Sequence, residues 1–546
     1  MRRVAISDML AGLAVAGLIL PEGVAYAGIA GLPPGRALAA GIAGGLAYLA
    51  VGRSRFAILS PTSSSAAILA AALATLPGSP AERTGLASAL VVAVGVIFLG
   101  LAAFRLGSLA GFVSRPVLRG FAFGLAITII VKQLPKLFGV AGSDGPIWRV
   151  IGSLFASMDA WRIESLALGV LALGLLLALR RVPRVPGAVV VLAGGIALAF
   201  AVDLPAHGIA IAGPVTLAVP GFVFPTDFAI WAKLMQLAAP IALIVFAESW
   251  GTMRGLALRH GDTISASREL AAIGVANVAA AMAQGMPVGA GFSAGSANES
   301  AGATSRVAAL TAALALLLLG LFAGPLIARI PEPVLAAVVI GALTHALSPA
   351  PIVTLFRIER DQWIALAAAL GMLGLGVLNG MLAAIALSIA QLLYRLSHPS
   401  VSVLGQVGES HDFIDIAAHP DAHALPGVAI FRPNAPLIFA NAEAVLREIG
   451  AQARAGSAQT IVLSLEESND LDSTAAEVIG EFCAALAGSG RRVILARVHD
   501  RVRQVLAASG QGPLAQAATF SVADAVAAAY QSSAGTTRLS LRAGDT

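Results

Sequence analysis

Charge is scarce in this chain. Asp, Glu, Lys and Arg make up 12% of its 546 residues, against about 25% in an ordinary soluble domain. That deficit excludes a water-soluble globule as the main body and says that much of the surface faces hydrocarbon. Cysteine is almost missing: Cys483 stands alone, which rules out an intrachain disulfide and suits a free thiol in a reducing compartment. No G-x-x-x-x-G-K-[ST] loop occurs, which argues against an ATP-driven pump. No His/Cys cluster has the spacing of metal ligands, and His260, His398 and His499 lie apart near loops. No nucleophile–base pair stands out, so neither catalysis nor a cofactor is expected. The net charge of +5 is not gathered into the basic stripe that a nucleic-acid binder would need. It is spread over short loops between apolar runs.

Apolar residues and glycine are what the chain has in excess. Hydrophobic residues reach 58%, with 58 glycines, and the mean hydropathy is +0.85. Small residues let helix backbones approach closely in a bilayer. Arg2-Arg3, an apolar run and Ala25-Tyr26-Ala27 imitate a secretory signal, but Glu22 inside the run argues for a retained first helix. Apolar segments fall at 8–29, 37–51, 62–76, 84–104, 116–135, 163–179 and 186–202. A second group falls at 237–258, 265–284, 293–303, 305–328, 333–347, 361–378 and 380–396. Many approach the ~20 residues that cross ~30 Å of hydrocarbon. The fold class expected is an α-helical membrane protein of 14 segments in two sets of seven, about 8–202 and 237–396. Basic residues, from Arg2 and Arg3 through Arg53, Arg55, Arg180, Arg181 and Arg184 to Arg357 and Arg360, fall mostly on one side. The positive-inside rule then places both termini in the cytoplasm, in a multi-pass protein of the inner (plasma) membrane.

Two internal echoes relate the halves. Pro61 follows Glu22 by 39 residues, and Pro287 follows Glu248 by the same 39. Pro116-Val117-Leu118 with Gly124 recurs as Pro333-Val334-Leu335 with Gly341. Seven segments per repeat is odd, so the halves must insert in opposite senses, as in secondary transporters. The short third segments carry the chemistry. Ser60-Pro61-Thr62-Ser63-Ser64-Ser65 opens one, and Gly285 to Gly291-Phe292-Ser293 opens the other. A helix of ~11 residues reaches only about 16 Å. Two such helices starting near the midplane would aim their free N–H groups and positive ends at one anion. The bland alternative is a pair of ordinary helix caps. Glu22 and Glu248 interrupt apolar runs at equivalent places. A carboxylate there is protonated, paired or functional. Ser249 and Trp250 tilt Glu248 towards lining the substrate site, whereas Glu299 suits capping or packing.

After Pro399 the composition turns polar. Strands are predicted at Gly427–Arg432, Pro436–Ala440, Gln459–Leu465 and Arg492–Arg497, and helices at Ala442–Arg454, Ser473–Leu486, Arg501–Ser509 and Val522–Tyr530. That order argues a small α/β domain over 400–531 behind a membrane domain over 1–399, with 532–546 a disordered tail.

Pro21-Glu22-Gly23-Val24-Ala25-Tyr26-Ala27 with Ala30-Gly31-Leu32-Pro33-Pro34 resembles the opening of the sulfate-permease (SulP) family of anion transporters. Gly285 to Ser305, with Pro287, Phe292, Ser293, Asn298, Gly302 and Ala303, is similar to that family's second half-helix signature. Leu437 to Ala442 and Asp470-Leu471-Asp472-Ser473-Thr474 resemble its fused STAS domain. The resemblance implies seven-plus-seven inverted repeats arranged as core and gate domains, a cytosolic STAS domain, a homodimer in the lipid bilayer, and elevator-like movement of the core. It places the substrate at Glu22, Tyr26, Thr62, Ser63, Ser64, Ser65, Glu248, Gly291, Phe292, Ser293, Ala294 and Ser296. Asp472-Ser473 falls where related stand-alone domains are phosphorylated, although Ser473 also suits the N-cap of its helix.

Two departures bear on the substrate. Many members carry Arg where this chain has Ala294, and Gln where it has Glu22. Both make the site more negative, so the expected function is secondary transport of a small inorganic or carboxylate anion (bicarbonate, sulfate or a dicarboxylate) together with a proton, taken up through Glu22, or with sodium. A nucleobase symporter of the same fold and a membrane sensor signalling through the STAS domain are the alternatives.

Overall fold

A computed structural model describes residues 2–77, 79–107, 114–143, 145–182, 187–213, 225–358 and 361–531. Arg184, Arg360 and the expected 532–546 tail lie outside them. The chain divides into two units at Ser388/Ile389, a boundary that falls inside the helix Gln362–Ser397, most of which belongs to the first.

The first unit is helical. Its first half runs α1 (Arg2–Ala30), α2 (Pro34–Val51), β1 (Leu59–Ser60), α3 (Ser63–Ala74), α4 (Pro80–Ala103), α5 (Arg115–Leu137), α6 (Ile147–Ala156), α7 (Ile163–Leu179) and α8 (Gly187–Ala201). Its second half runs α9 (Phe228–Arg259), α10 (Ala266–Met282), β2 (Gly289–Ala290), α11 (Phe292–Ser300), α12 (Val307–Phe322), α13 (Gly324–Ile327), α14 (Glu332–Leu343), α15 (Ala350–Arg357) and α16 (Gln362–Ser397). Among the described residues, six helices (within α1, α2, α4, α5, α9 and α16) are long and apolar enough to cross a membrane, with shorter apolar helices among the rest.

Packing follows the repeat. α1 packs on α11 and α12 as α9 packs on α3 and α4, the exchange of partners that a two-fold relation produces. β1 and β2 sit at equivalent places and pair antiparallel, Leu59 opposite Ala290 and Ser60 opposite Gly289, so the halves run in opposite senses there. Small residues permit close contact. A Cβ on Gly95 of α4 would stand 2.7 Å from Val278 Cγ2 of α10. Outward faces stay apolar: Leu171 is 69% exposed and Phe322 76%, which hydrocarbon accommodates and water does not.

Several boundaries differ from the sequence reading. α9 begins nine residues before the expected 237, where the Asp227 carboxylate accepts from Ala229 N at 2.8 Å and caps it. The expected break between 378 and 380 falls instead at Gly376, whose φ of +80° only glycine adopts easily. The 305–328 segment splits at Ala323, before the Gly324-Pro325 start of α13. The short helices α6 and α15 have apolar stretches too brief to read as spans.

The second unit contains β3 (Val401–Val407), β4 (Phe413–Asp415), β5 (Ala422–His423), β6 (Val428–Pro433), α17 (Ala442–Ala455), β7 (Thr460–Ser464), α18 (Ser473–Gly488), β8 (Arg492–Ala496), α19 (Asp500–Ala508), α20 (Gly512–Ala517) and α21 (522–531). The sheet order is β4-β3-β6-β7-β8, with β5 also on β3. β6, β7 and β8 are parallel, and β3 is antiparallel to β6. Alternation along β7 divides the core: Ile461 and Leu463 pack under α17 to α20, Val462 under α21.

Pro436–Ala440 is not a strand. Its N–H groups bond side chains instead: Leu437 N donates to Ser468 Oγ at 3.0 Å, Ile438 N to Asn441 Oδ1 at 2.9 Å and Phe439 N to Asp472 Oδ2 at 2.6 Å. Ser473 does not cap α18. Asp472 does, accepting from Ala475 N at 2.8 Å.

Cys483 lies on the buried face of α18, in the core, and burial pushes its thiol up to about 12. Alkylation needs the thiolate. We therefore expect iodoacetamide at pH 7.5 to leave the native protein unmodified and to label it fully once unfolded, as read by intact mass.

Candidate anion site

The two-strand ladder organises the site. β1 delivers the chain to α3 and β2 delivers it to α11, so both short helices start beside one another. At α3, Thr62 and Ser65 form a capping box: Thr62 Oγ1 accepts from Ser65 N at 3.1 Å and Ser65 Oγ accepts from Thr62 N at 3.0 Å. At α11 the cap is Gly291, with no side-chain cap hydrogen bond. The first N–H groups of α11 are thus left for something else.

Buried polar groups brace the ladder. Asn277 of α10 donates to Val288 C=O at 2.9 Å and accepts from Val288 N at 3.0 Å. Ser249 Oγ accepts from Ala290 N at 2.9 Å. Ser65 Oγ donates to Pro287 C=O at 3.1 Å. Sequence reading missed Asn277, whose only signal was a lone amide in an apolar helix, and it used Ser249 only as a neighbour that tilts Glu248 towards the substrate site, not as part of this brace.

A cavity opens against both helix starts. Of the residues singled out from sequence, Glu22, Tyr26, Thr62, Ser63, Ser64, Glu248, Gly291, Phe292, Ser293 and Ala294 line it. Ser65 and Ser296 do not. Ser65 is consumed by the capping box and the Pro287 contact. Ser296 Oγ is buried with no hydrogen-bond partner. The opposite wall comes from α5 and α14, the elements of the second internal echo. Leu125 and Ala126 line it from α5, and Ala342 and Leu343 from α14. Each pair is offset by 217 residues, like Pro116 and Pro333.

The two glutamates differ. Glu248 is held: Ser64 Oγ donates to its Oε1 at 2.9 Å and Thr62 Oγ1 to its Oε2 at 3.3 Å. Its carboxylate occupies the positive end of α3, where an anion is favoured. Glu22 follows Pro21, which interrupts the backbone ladder of α1. It is 8% exposed and has no hydrogen bond among the described residues. The cavity lining contains no Lys, Arg or His among the described residues. Glu299 lies away from this lining, paired with Arg259 at 3.1 Å and His260 at 2.7 Å.

The site therefore offers one free helix start, one hydroxyl beside it and two carboxylates. Ser293→Ala should cost about 1.5–3 kcal/mol of anion binding, roughly 10- to 150-fold. Ser296→Ala should cost none and leave stability equal or higher, since it removes an unsatisfied buried hydroxyl. Isothermal titration and thermal melts of both variants check this.

Comparison with known proteins agrees with this architecture. Residues 6–369 match the profile of the sulfate permease family, and residues 419–522 match the STAS domain. A Mycobacterium tuberculosis protein described as “Probable sulfate transporter” is 35% identical over 92% of this chain and 91% of its own length. Human solute carrier family 26 member 6 is 29% identical over 80% of this chain and 61% of its own. Among solved structures, SLC26A9 superposes with a TM-score of 0.88 at 20% identity, covering 98% of this chain and 92% of that one. The transmembrane domain of a cyanobacterium bicarbonate transporter superposes at 0.61 and 18% identity, over 70% of this chain and 97% of that one. These last two likenesses concern the fold. The chain belongs to the sulfate permease family, as a multi-pass membrane anion transporter with a C-terminal STAS domain.

Proposed function

We propose that this protein is a secondary active carrier that brings a small oxyanion across the inner (plasma) membrane together with a proton, with both termini cytoplasmic. The carrying observation is the chemistry of the cavity: an uncapped helix start beside Ser293 shares the lining with two carboxylates and, among the described residues, no cation. A doubly charged anion meets repulsion there unless a proton enters with it. Glu22 takes that proton, because an ionised carboxylate so buried and without a donor is costly, whereas Glu248 already has two donors. Sulfate is the leading substrate on the naming of the 35% identical relative, with bicarbonate and small dicarboxylates the competitors. Movement is elevator-like, in a homodimer. The exposed Ser473, on the first turn of α18, is a position for regulatory phosphorylation.

The test is uptake of labelled sulfate, bicarbonate and succinate into proteoliposomes, with a proton gradient, a sodium gradient or neither. Sulfate uptake accelerated by inward protons supports the reading. Acceleration by sodium alone replaces the coupling ion, and no flux of any anion rejects it.

A further inference from the structure

A second cavity adjoins the first. Pro21 and Glu22 of α1, Leu176 of α7, Arg180 just beyond α7, and Val338 and Ala342 of α14 are among its walls. Glu22 and Ala342 also line the site at the helix starts, so these two residues form a wall common to both cavities. Arg180 is the one Lys, Arg or His in either lining among the described residues. It is exposed, yet its head is fixed. Nη1 donates to Thr344 Oγ1 at 2.7 Å, and Nη2 donates to the Gly341 carbonyl. A guanidinium has five N–H donors in a rigid fork. Two are committed to these partners, which orients the rest.

We propose that Arg180 is a second anion-binding position, at which an oxyanion waits before it passes Glu22 to the start of α11. This rests on the reading of the protein as an anion carrier. The electrostatics supply the reason. Among the described residues the inner cavity carries two carboxylates and no cation, so an arriving anion is repelled at its threshold. A fixed positive charge immediately outside raises the local anion concentration. Once Glu22 is protonated, the barrier between the two positions falls and the anion moves inward. The inner site can then lack a cation, because Arg180 provides capture while the helix start and Ser293 provide binding.

Arg180 also holds the end of α14, so the test must separate charge from tether. Labelled sulfate uptake is measured in proteoliposomes of defined orientation, presenting substrate to one face at a time. Arg180→Gln should raise KM about five- to tenfold from the Arg180 face, with kcat within about twofold. KM from the opposite face should not change. Arg180→Lys keeps the charge and should restore most of the loss, and Thr344→Val, which removes part of the tether, should leave KM alone. In wild type, KM from the Arg180 face should rise with ionic strength; this arm needs no variant and holds even if Arg180→Gln folds poorly. Unchanged KM in Arg180→Gln overturns the proposal. So does an equal KM rise in the lysine and Thr344 variants, which would make Arg180 a tether only. A wild type that transports none of the anions fails the carrier reading itself, a distinct result from normal transport that ignores Arg180.

Discussion

Glu22→Gln is expected to bind the anion but to lose all acceleration by an inward proton gradient. Glutamine has nearly the shape of a protonated glutamate and cannot release a proton. The variant should therefore behave at every pH as wild type behaves when Glu22 is protonated. Glu22 is suited to this role by position and isolation together. It lines both cavities, and it has no donor among the described residues to stabilise its anion. Counterflow of labelled sulfate, which needs no net driving force, should persist in the variant at near wild-type rate. Uptake driven by a pH step should fall to the no-gradient level. Uptake that stays equally gradient-driven would remove Glu22 from the coupling path and leave the half-buried Glu248 as the remaining carboxylate of the lining.

Much of this site was legible in the sequence because two signals reinforced each other. Short hydroxyl- and glycine-rich openings at Thr62 and Gly291 departed from the surrounding apolar runs, and the 39-residue spacing tied each to a glutamate. The echo from Pro116 to Pro333 marked α5 and α14, although it did not reveal that their walls close the cavity. What stayed hidden depends on contacts across the chain. Ser65 and Ser296 carry the same hydroxyl as their neighbours, and only the packed structure turns one into a cap and leaves the other without a partner. Arg180 read as one more basic loop residue, since a preference for the cytoplasmic side says nothing about which cavity a guanidinium borders. In the STAS domain, Leu437-Ile438-Phe439 has the apolar run of a strand. The side chains of Ser468, Asn441 and Asp472 take its N–H groups first, and a one-dimensional pattern does not show that competition. The early strands were missed for two reasons: β4 and β5 are only three and two residues long, and Gly405 and Gln406 break the apolar pattern of β3.

Glu248→Gln should act oppositely to Glu22→Gln, leaving coupling in place and tightening anion binding. In the structure the Glu248 carboxylate accepts from both Thr62 Oγ1 and Ser64 Oγ, so it holds the anion's place at the start of α3. It is thus an internal competitor for that helix end, while α11 remains open with its Gly291 cap. Neutralising Glu248 has two consequences. It removes a fixed negative charge from a cavity that a dianion must share, and it frees at least one of the two hydroxyls, because a single amide oxygen replaces two carboxylate oxygens. Removing a like charge a few ångströms away in a partly wet site is worth about 2–4 kcal/mol, or roughly 30- to 800-fold in affinity. Tighter binding of the bound state also deepens the well from which the anion must leave, so turnover should slow while KM falls. The proton gradient should still accelerate uptake, because Glu22 is intact. Titration of sulfate against Glu248→Gln at pH 7.5, beside flux with and without a pH step, distinguishes the roles. Weaker binding in a well-folded variant would mean that Glu248 acts mainly to fix the α3 hydroxyls in place. Loss of gradient dependence would move the coupling proton from Glu22 to Glu248.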